Sequence, residues 1–508
     1  MEAWLIRPKE ARRQDSYSHD ELPKPDPRSI YVFLLAAIPW RVLAAPLFAA
    51  FDAEVGRPTD PVVFLKIFIV GYLENIVFDT ELAERIHDSV AIRAFLGYGL
   101  GEETPDHSTI SLVRAQIAEH CDVAEVLAQV VKLCADAGLV DGVDNGVDSS
   151  LVPANAGMAS LRHKESGKKL REQLRDVAAA KAAAAGSEGE AAAEGGQGAG
   201  QKGEGRPRLS NKEYRSQTDP SARIASKPGQ LRDLYYRVTH ITSGKGQIIL
   251  AARAGLADEG ETKAAEPLVE AAATVLEDNS LEPGRLAGDA GYDDADFHAH
   301  AEAQGFEPVT NYEKDTSKKP EGFKKADFQY NEADNSYTCP GGQTVKCRSN
   351  GEKEKRYESE AATCATCPLR EQCLEEGAQT RWLYRSANEA SRERNIARCH
   401  TEEGRAALKA RSHTVEPPFG HLKAYGGGRV INCRGVDKAN VKIVFAAAAW
   451  NLTRLAKYAM GTEGRRKKGA RATPSGRNAL WGGLVRLLQG PLERLGARLG
   501  QVRPAHAG

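Results

Sequence analysis

The sequence predicts an α/β core joined to an all-helical N-terminal region, and three observations lead there. Apolar residues recur at helical spacing from Pro27 to about Leu139. From Val143 the text changes to short strand-like pieces interrupted by one helical stretch, the pattern of an α/β layer. After Arg405 the helical texture returns. At 508 residues the chain is too long for one ordinary domain, so several units are expected.

The N-terminal helices are carried by YVFLLAAIP, VVFLKIFIVGYL, ELAERIHDSVAIRAFLGYGL and DVAEVLAQVVKLCADAGL, with Pro, Gly and Asp between them; four or five helices are expected. In PDHSTISLVRAQI, Asp106 and Ser108 are candidate caps before a helix carrying Arg114. A helix-turn-helix DNA reader has this form, but so does a normally capped core helix, and spacing alone favours the core helix. The strand-like pieces are VDNGVDSSLV, LYYRVTHI, QIILAARAGL, RLAGDAGY and FEPVTNY, with a helix over Thr262–Glu277 before the fourth. Two segments interrupt this core. Residues 161–211 are rich in Ala, Gly, Glu and Lys and poor in bulky apolar side chains, so they read as a solvated insertion. Residues 314–400 read as a small module, with five of the nine cysteines between Cys339 and Cys373. The segment KIVFAAAAWNLTRLAKYAM reads as a buried helix. The domain reading is therefore a flexible start (1–26), a helical domain (27–140), an α/β core (141–313 and 401–460) containing the insertion, the cysteine module (314–400), and a basic tail (461–508).

Lys+Arg and Asp+Glu both number 69, a formal charge of zero that hides an asymmetry. From Thr401 to Gly508 there are 20 basic and 6 acidic side chains, so a basic end that can meet phosphate follows an acidic body. The tail alone has 10 basic residues against 2 acidic. Its RRKKGAR run reads as a phosphate-binding segment or, equally, as a solubilising one. The first residues lack the apolar run of a secretory signal, and Pro39, Arg41 and Pro46 break the greasiest stretch, Tyr31–Phe51. A reducing, cytoplasmic, nucleoid-associated location without membrane contact is the expectation.

Three carboxylates stand out by context. Asp148 lies in VDSSLVPANAGMASL at the expected end of a short strand, with Asp141 and Asp144 as nearby competitors. Asp289 lies in RLAGDAGYDDADF, where Gly288 and Gly291 would let the backbone turn and present it. Glu416 precedes Pro417 and Pro418, which predicts that it sits at or just before a helix start. Each alone reads as a solvated acid or a cap. Two strand-borne aspartates and a helix-borne glutamate are also what a two-metal phosphoryl-transfer site uses, because hard Mg²⁺ prefers carboxylate oxygens. Among the histidines, His298 and His300 fit a short helix turning into solvent, and His421 fits a partly packed helix position.

Taken together, DSSLVPANA, GDAGYDD and TVEPPFGHLKAYGGGRVINCRGVDKANVKIVFAAAAWNL resemble the three catalytic blocks of bacterial insertion-sequence DDE transposases. The similarity is to their eleven-eighty-two-type group, related to the IS-four/IS-five-like transposases. GRPTDPVVFLKIFIVGYLENIVFDTELAERI and PDHSTIS resemble that group's N-terminal helical domain. YRSQTDPSARI resembles the segment before its second strand, and YTCPGGQTV with CATCPLREQC its cysteine-bearing insertion. The resemblance implies an RNase H-like core, a mixed sheet flanked by helices, in which Asp148, Asp289 and Glu416 bind two Mg²⁺ ions, with Mn²⁺ as a substitute. It further implies that Lys423 and Arg411 contact transposon-end DNA and that the N-terminal helices including Arg114 take part in end recognition; two copies are expected to associate as a homodimer, because each end needs a site and a closed symmetric dimer is the simplest solution. The implied activity is end cleavage and joining to target DNA. The alternatives are a non-catalytic DNA-binding protein derived from such an element and a general metal-dependent nuclease.

The cysteines are weighed on their own spacing. Cys364-x2-Cys367-x5-Cys373, with Cys339 upstream, supplies four thiolates able to close a tetrahedral structural zinc site, with Cys347 as a spare. Two disulfides would use the same residues; the expected reducing compartment favours zinc or free thiols over them, with structural zinc the reading taken. Cys121, Cys134, Cys399 and Cys433 lack paired spacing and read as packed thiols.

Overall fold

The computed structural model describes residues 26, 29–51, 60–173, 175, 176, 179, 209–227, 229, 231–312, 322–424 and 430–461, with only the backbone of 423 and 424. The expected flexible start, most of the alanine- and glycine-rich insertion and the basic tail lie outside the described residues. The chain divides into two compact units, the first from residues before 142, 147–281 and 413 onward, the second from 142–146 and 282–412.

The first unit opens with helices α1 (Ile30–Ala37), α2 (Trp40–Leu43), α3 (Pro61–Leu73), α4 (Asp79–Asp88), α5 (Val90–Leu96), α6 (His107–His120) and α7 (Ala124–Asp136). These seven exceed the expected four or five because ELAERIHDSVAIRAFL is two helices and the short α2 follows Pro39. Ser89 stops α4 in an extended conformation and accepts the Ile92 amide to start α5. Helix α3 starts where Asp60 accepts the Val62 amide at 2.9 Å and Pro61 occupies the first position. It is buried on nearly every side from Val63 to Tyr72, as its all-round apolar sequence requires.

Strands β1 (Asp144–Pro153), β2 (Leu161–His163), β3 (Tyr214–Ser216), β4 (Arg223–Ala225), β5 (Asp233–Ser243) and β6 (Ile248–Leu256) follow, then α8 (Glu261–Asp278). Strand β5 pairs antiparallel with β4 and β6 and neighbours β1 on its other edge. Strands β2 and β3 form a separate antiparallel ladder, Leu161 opposite Ser216 and His163 opposite Tyr214, at the two ends of the insertion. Asn211 fixes the far end by exchanging two bonds with Ile224 of β4, at 2.8 and 2.9 Å.

The second unit adds β7 (Arg285–Gly288), α9 (Ala295–Ala303), β8 (Glu307–Thr310), β9 (Gln329–Asn331), β10 (Ser336–Thr338), β11 (Thr344–Asn350), β12 (Glu354–Glu358), α10 (Ala361–Ala365), α11 (Arg370–Cys373), β13 (Trp382–Ser386) and α12 (Glu389–Cys399). The opening residues of β1, Asp144–Gly146, pair in parallel with β7, and β7 with β8. Strands β9–β13 make a separate antiparallel sheet in the order β13-β12-β11-β10-β9. Two long helices end the described chain, α13 (Glu402–Ala424), which runs from the second unit into the first, and α14 (Val436–Ala459), which lies in the first.

Both units close an edge strand with a helix-borne asparagine. Asn451 of α14 accepts the Ile249 amide and donates to the Ile249 carbonyl, each at 2.8 Å. Asn395 of α12 does the same for Thr310, at 2.7 and 3.2 Å. Each side chain is fully buried and satisfies backbone groups that no further strand pairs, which removes a template for edge-to-edge association. The sheet of this core is mixed and flanked by helices. No helix among the described residues is long and apolar enough to cross a membrane.

Candidate functional site

Asp148 lies in the middle of β1, not at the end of a short strand. The strand is ten residues long, and it is buried from Asn145 to Val152 except at Asp148, which is half-exposed. The Ser149 amide donates to its Oδ1 at 2.8 Å. Next to it, the Ser149 hydroxyl meets Thr239 Oγ1 of β5 at 2.7 Å, and Lys227 donates to the Ser149 carbonyl at 3.2 Å. Lys227 and Arg237 both pair with Glu261, at 2.9 and 2.8 Å. Burial opposes ionisation of Glu261, but the two cations outweigh it and hold that carboxyl below the usual range. No sequence pattern marked Lys227, Arg237 or Glu261, because their partnership exists only once β5 and α8 are placed beside β1.

Glu416 is within α13, so the expected helix start is corrected: Pro417 and Pro418 lie inside a 23-residue helix. Proline at 417 leaves the carbonyl four residues earlier without its helical donor. The Gln247 side-chain amide supplies one instead, donating to the His413 carbonyl at 2.6 Å. The replacement donor comes from the β5–β6 turn, which a local reading of proline cannot foresee. Gln247→Ala is expected to lower stability by about 1 kcal/mol, measured as a shift in the denaturation midpoint. Glu416 is exposed while its neighbours Val415 and Phe419 are buried, and Phe419 stacks within 4.0 Å of the His240 ring. His421 is packed, as expected. Its Nδ1 bonds the Tyr72 hydroxyl at 2.6 Å, and its ring lies against Tyr72 and Trp450.

Asp289 belongs to the second unit, directly after β7. It is half-exposed, and its Oδ1 accepts the Gly291 amide at 3.0 Å, capping a three-residue turn. The flanking glycines act differently from expectation, since neither has a positive φ. Gly288 is required for close packing instead: a Cβ there would stand 3.1 Å from both Tyr292 Cβ and Thr310 Cγ2. The following Asp293 is held by Arg392 in a two-pronged pair at 2.7 and 3.1 Å.

His298 corrects the solvent-facing reading of α9. It is fully buried, with Nε2 bonded to Thr310 Oγ1 at 2.8 Å, because α9 turns that face onto β8. Burial lowers its pKa below the ordinary 6.5, against the raising effect of Asp293 and Asp294. The folded state therefore binds the proton more weakly than the unfolded chain, so this residue destabilises as pH falls below the unfolded value. Stability is expected to decline as pH falls through about 6.5, the unfolded value. His298→Gln, which keeps a partner for Thr310, is expected to flatten that decline in denaturation curves taken above and below that pH.

The basic residues divide. Arg114 is 5% exposed, and its guanidinium is committed to Asp79 through two bonds, at 2.6 and 2.7 Å, and to the face of Phe68 at 5.1 Å. It holds α6 to α4 and is not displayed to DNA, which corrects its reading as a DNA contact and matches the capped core helix favoured by spacing; Asp106 caps α6 as expected. Arg411 is half-buried on the part of α13 in the second unit. Lys423 is in the last turn of α13, and its side chain lies outside the described residues.

A buried carboxylate missed by sequence reasoning is Asp219, in the YRSQTDPSARI block. It is fully buried; Oδ2 accepts the Tyr236 hydroxyl at 2.5 Å and Oδ1 the Gly435 amide at 3.2 Å. It ties the segment before β4 to the start of α14, and only its motif context hinted at a role.

Cys339, Cys364, Cys367 and Cys373 converge on one cavity of about 260 Å³ in the second unit. Burial raises the Cys373 thiol, Arg381 opposes it, and the other three thiols reinforce it. Cys347 is not among them; it lies on β11, its thiol toward the Ser349 carbonyl. Cys134 and Cys399 are buried, as expected, against the Asn451 and Thr310 carbonyls. Asp148 and Glu416 belong to the first unit and Asp289 to the second. Among the described residues no three His, Cys, Asp or Glu side chains meet around one point at metal-ligating distance.

Residues 338–456 match the family described as Transposase DDE domain, and residues 19–116 that described as Transposase domain (DUF772). No curated protein matches the sequence. Among solved structures, the cryo-EM structure of a piggyBac transposase synaptic complex with hairpin DNA is similar at 10% identity, covering 96% of this chain and 88% of that one. Its TM-score of 0.32 is too low to bear on the fold. With one transposase domain matched toward each end of its sequence, the chain belongs to the DDE transposases of bacterial insertion sequences.

Proposed function

We propose that the chain is a transposase of the eleven-eighty-two-type group that cleaves the ends of its own insertion sequence and joins the exposed 3′-hydroxyls to target DNA, with Asp148, Asp289 and Glu416 as its metal-binding carboxylates. The observation that carries this reading is shared by all three. Each keeps its carboxylate at least half-exposed beside the packed core: Asp148 within the buried run of β1, Asp289 directly after the parallel strand β7, and Glu416 on α13 between the buried Val415 and Phe419. A carboxylate kept accessible on such elements is placed for an external partner and not for packing. The antiparallel β5–β6 pair beside β1 and the parallel β1, β7 and β8 support an RNase H-like core.

The donor set fits Mg²⁺, since three carboxylates with no imidazole or thiol among them suit a hard cation. When bound, the metal supplies a nucleophile activated at neutral pH and offsets the charge that builds on phosphate. The chain's own residues hold the carboxylates in place. Ser149 and Thr239 fix β1 beside Asp148, the Gly291 amide orients Asp289, and Gln247 keeps α13 continuous under Glu416. Arg411 and Lys423, from the same helix as Glu416, are assigned to transposon-end phosphate, and the active form is a homodimer that bridges two ends.

The test uses duplexes carrying the sequences that flank the gene, with Mg²⁺ or Mn²⁺. Nicking at the element boundary followed by joining supports the reading. Binding without cleavage would establish the non-catalytic alternative, and cutting of any duplex regardless of ends would establish a nuclease.

A further inference from the structure

The sheet β9–β13 encloses a very small core of five buried apolar side chains, Phe328, Tyr337, Val345, Tyr357 and Leu383. A core of that size falls short of the ordering cost of some sixty residues, and small folds of this kind are stapled by other means. All nine cysteines are free thiols, so the staple is not a disulfide.

Beside that core, four cysteines line one cavity. The turn Cys339-Pro-Gly-Gly-Gln343 is closed by the Cys339 amide donating to the Gln343 carbonyl and the Gly342 amide to the Cys339 carbonyl, both at 2.8 Å. The Gln343 amide then returns to Cys339 Sγ at 3.3 Å, which fixes the position of that sulfur at the edge of the cavity. Gly341 lies between two sulfurs: a Cβ on it would stand 3.5 Å from Cys367 Sγ and 3.7 Å from Cys339 Sγ. Cys364 and Cys367 come from α10 and the turn after it, and Cys373 from the end of α11, all on the same cavity. Arg370 donates to the Cys364 carbonyl at 3.1 Å and Arg381 to the Cys373 carbonyl at 3.2 Å. These two guanidiniums brace the loops that carry the thiols and place positive charge where a tetrathiolate would carry an excess of negative charge.

We propose that Cys339, Cys364, Cys367 and Cys373 bind one thiophilic divalent cation of the zinc class in tetrahedral geometry, and that this ion is the structural staple of residues 322–386. Soft thiolates select such a cation over Mg²⁺, and four sulfur ligands leave no open position for chemistry. Among the described residues the four thiols line the cavity without three of them meeting at metal-ligating distance. Tetrahedral binding turns the four side chains inward, and each thiol releases its proton to solvent, so affinity falls as pH falls. Cys347 takes no part. The site does not depend on the catalytic reading, because no acid of the triad belongs to it.

The experiment uses the full chain purified under reducing conditions without added metal. About one equivalent of zinc is expected by elemental analysis. Replacement by Co²⁺ is expected to give intense visible absorption and a thiolate-to-cobalt charge-transfer band, retained in Cys347→Ser and lost in Cys364→Ser. Should Cys364→Ser unfold the module, thiol labelling of the unaltered chain decides instead. Four thiols shielded until a chelator is added support the site, and thiols that react at the same rate with and without the chelator overturn it. A chain with little zinc and no cobalt band after reconstitution, a weak octahedral cobalt spectrum, or loss of the band in Cys347→Ser would each overturn it.

Discussion

Asp289→Asn is expected to reduce cleavage of end-bearing DNA by on the order of 10³-fold or more, while leaving the denaturation midpoint and DNA binding close to those of the unaltered chain. The separation is expected because of what the carboxylate touches. Its Oδ1 caps a three-residue turn by accepting the Gly291 amide, a bond that an asparagine side chain makes equally well. The substitution keeps that bond and removes the charge, so the loss of activity reports charge alone. Asp289→Ala removes the cap as well and costs about 1 kcal/mol more in stability. Cleavage at normal rate by Asp289→Asn would remove this residue from the catalytic set.

Asp79→Ala is expected to destabilise the N-terminal helices by about 3–5 kcal/mol, because it leaves a buried guanidinium without its counter-charge. Arg114 is 5% exposed and takes both carboxylate oxygens of Asp79, at 2.6 and 2.7 Å, with Phe68 beneath it. The sign of the second substitution is the instructive part. Arg114→Met in the Asp79→Ala background is expected to recover much of the loss, since an apolar side chain of similar length fills the site without needing a charge. Urea denaturation of the two single variants and the double variant measures this. A double variant no more stable than Asp79→Ala would mean that the guanidinium's packing, not its charge, is what matters there.

These two residues also show what could be read in the sequence and what could not. The capped helix carrying Arg114 was legible, because Asp106 announces it locally. The partner was not, since Asp79 is 35 positions away and one of 69 acids. Strands β1, β5 and β6 and helix α14 were legible because their apolar runs are long and the neighbouring turns interrupt them. The setting of Glu416 was misread because two prolines ordinarily end a helix, and the donor that lets α13 continue belongs to a turn 166 residues earlier. His298 was misread because two histidines at alternate positions say nothing of which helix face the sheet will cover. The cysteines were the reverse case, since their spacing alone grouped the four that share a cavity and left Cys347 as the doubtful fifth.

The short ladder between β2 and β3 has a practical consequence. It brings His163 opposite Tyr214, and the Lys164 amide donates to the Glu213 carbonyl at 2.8 Å, so the chain departs and returns at one anchored point. What is strung between those anchors is free to differ in length at small cost, about 0.6 kcal/mol for each doubling. A fluorescent reporter or affinity handle spliced between residues 179 and 209 is therefore expected to leave both anchors, and the denaturation midpoint, unchanged.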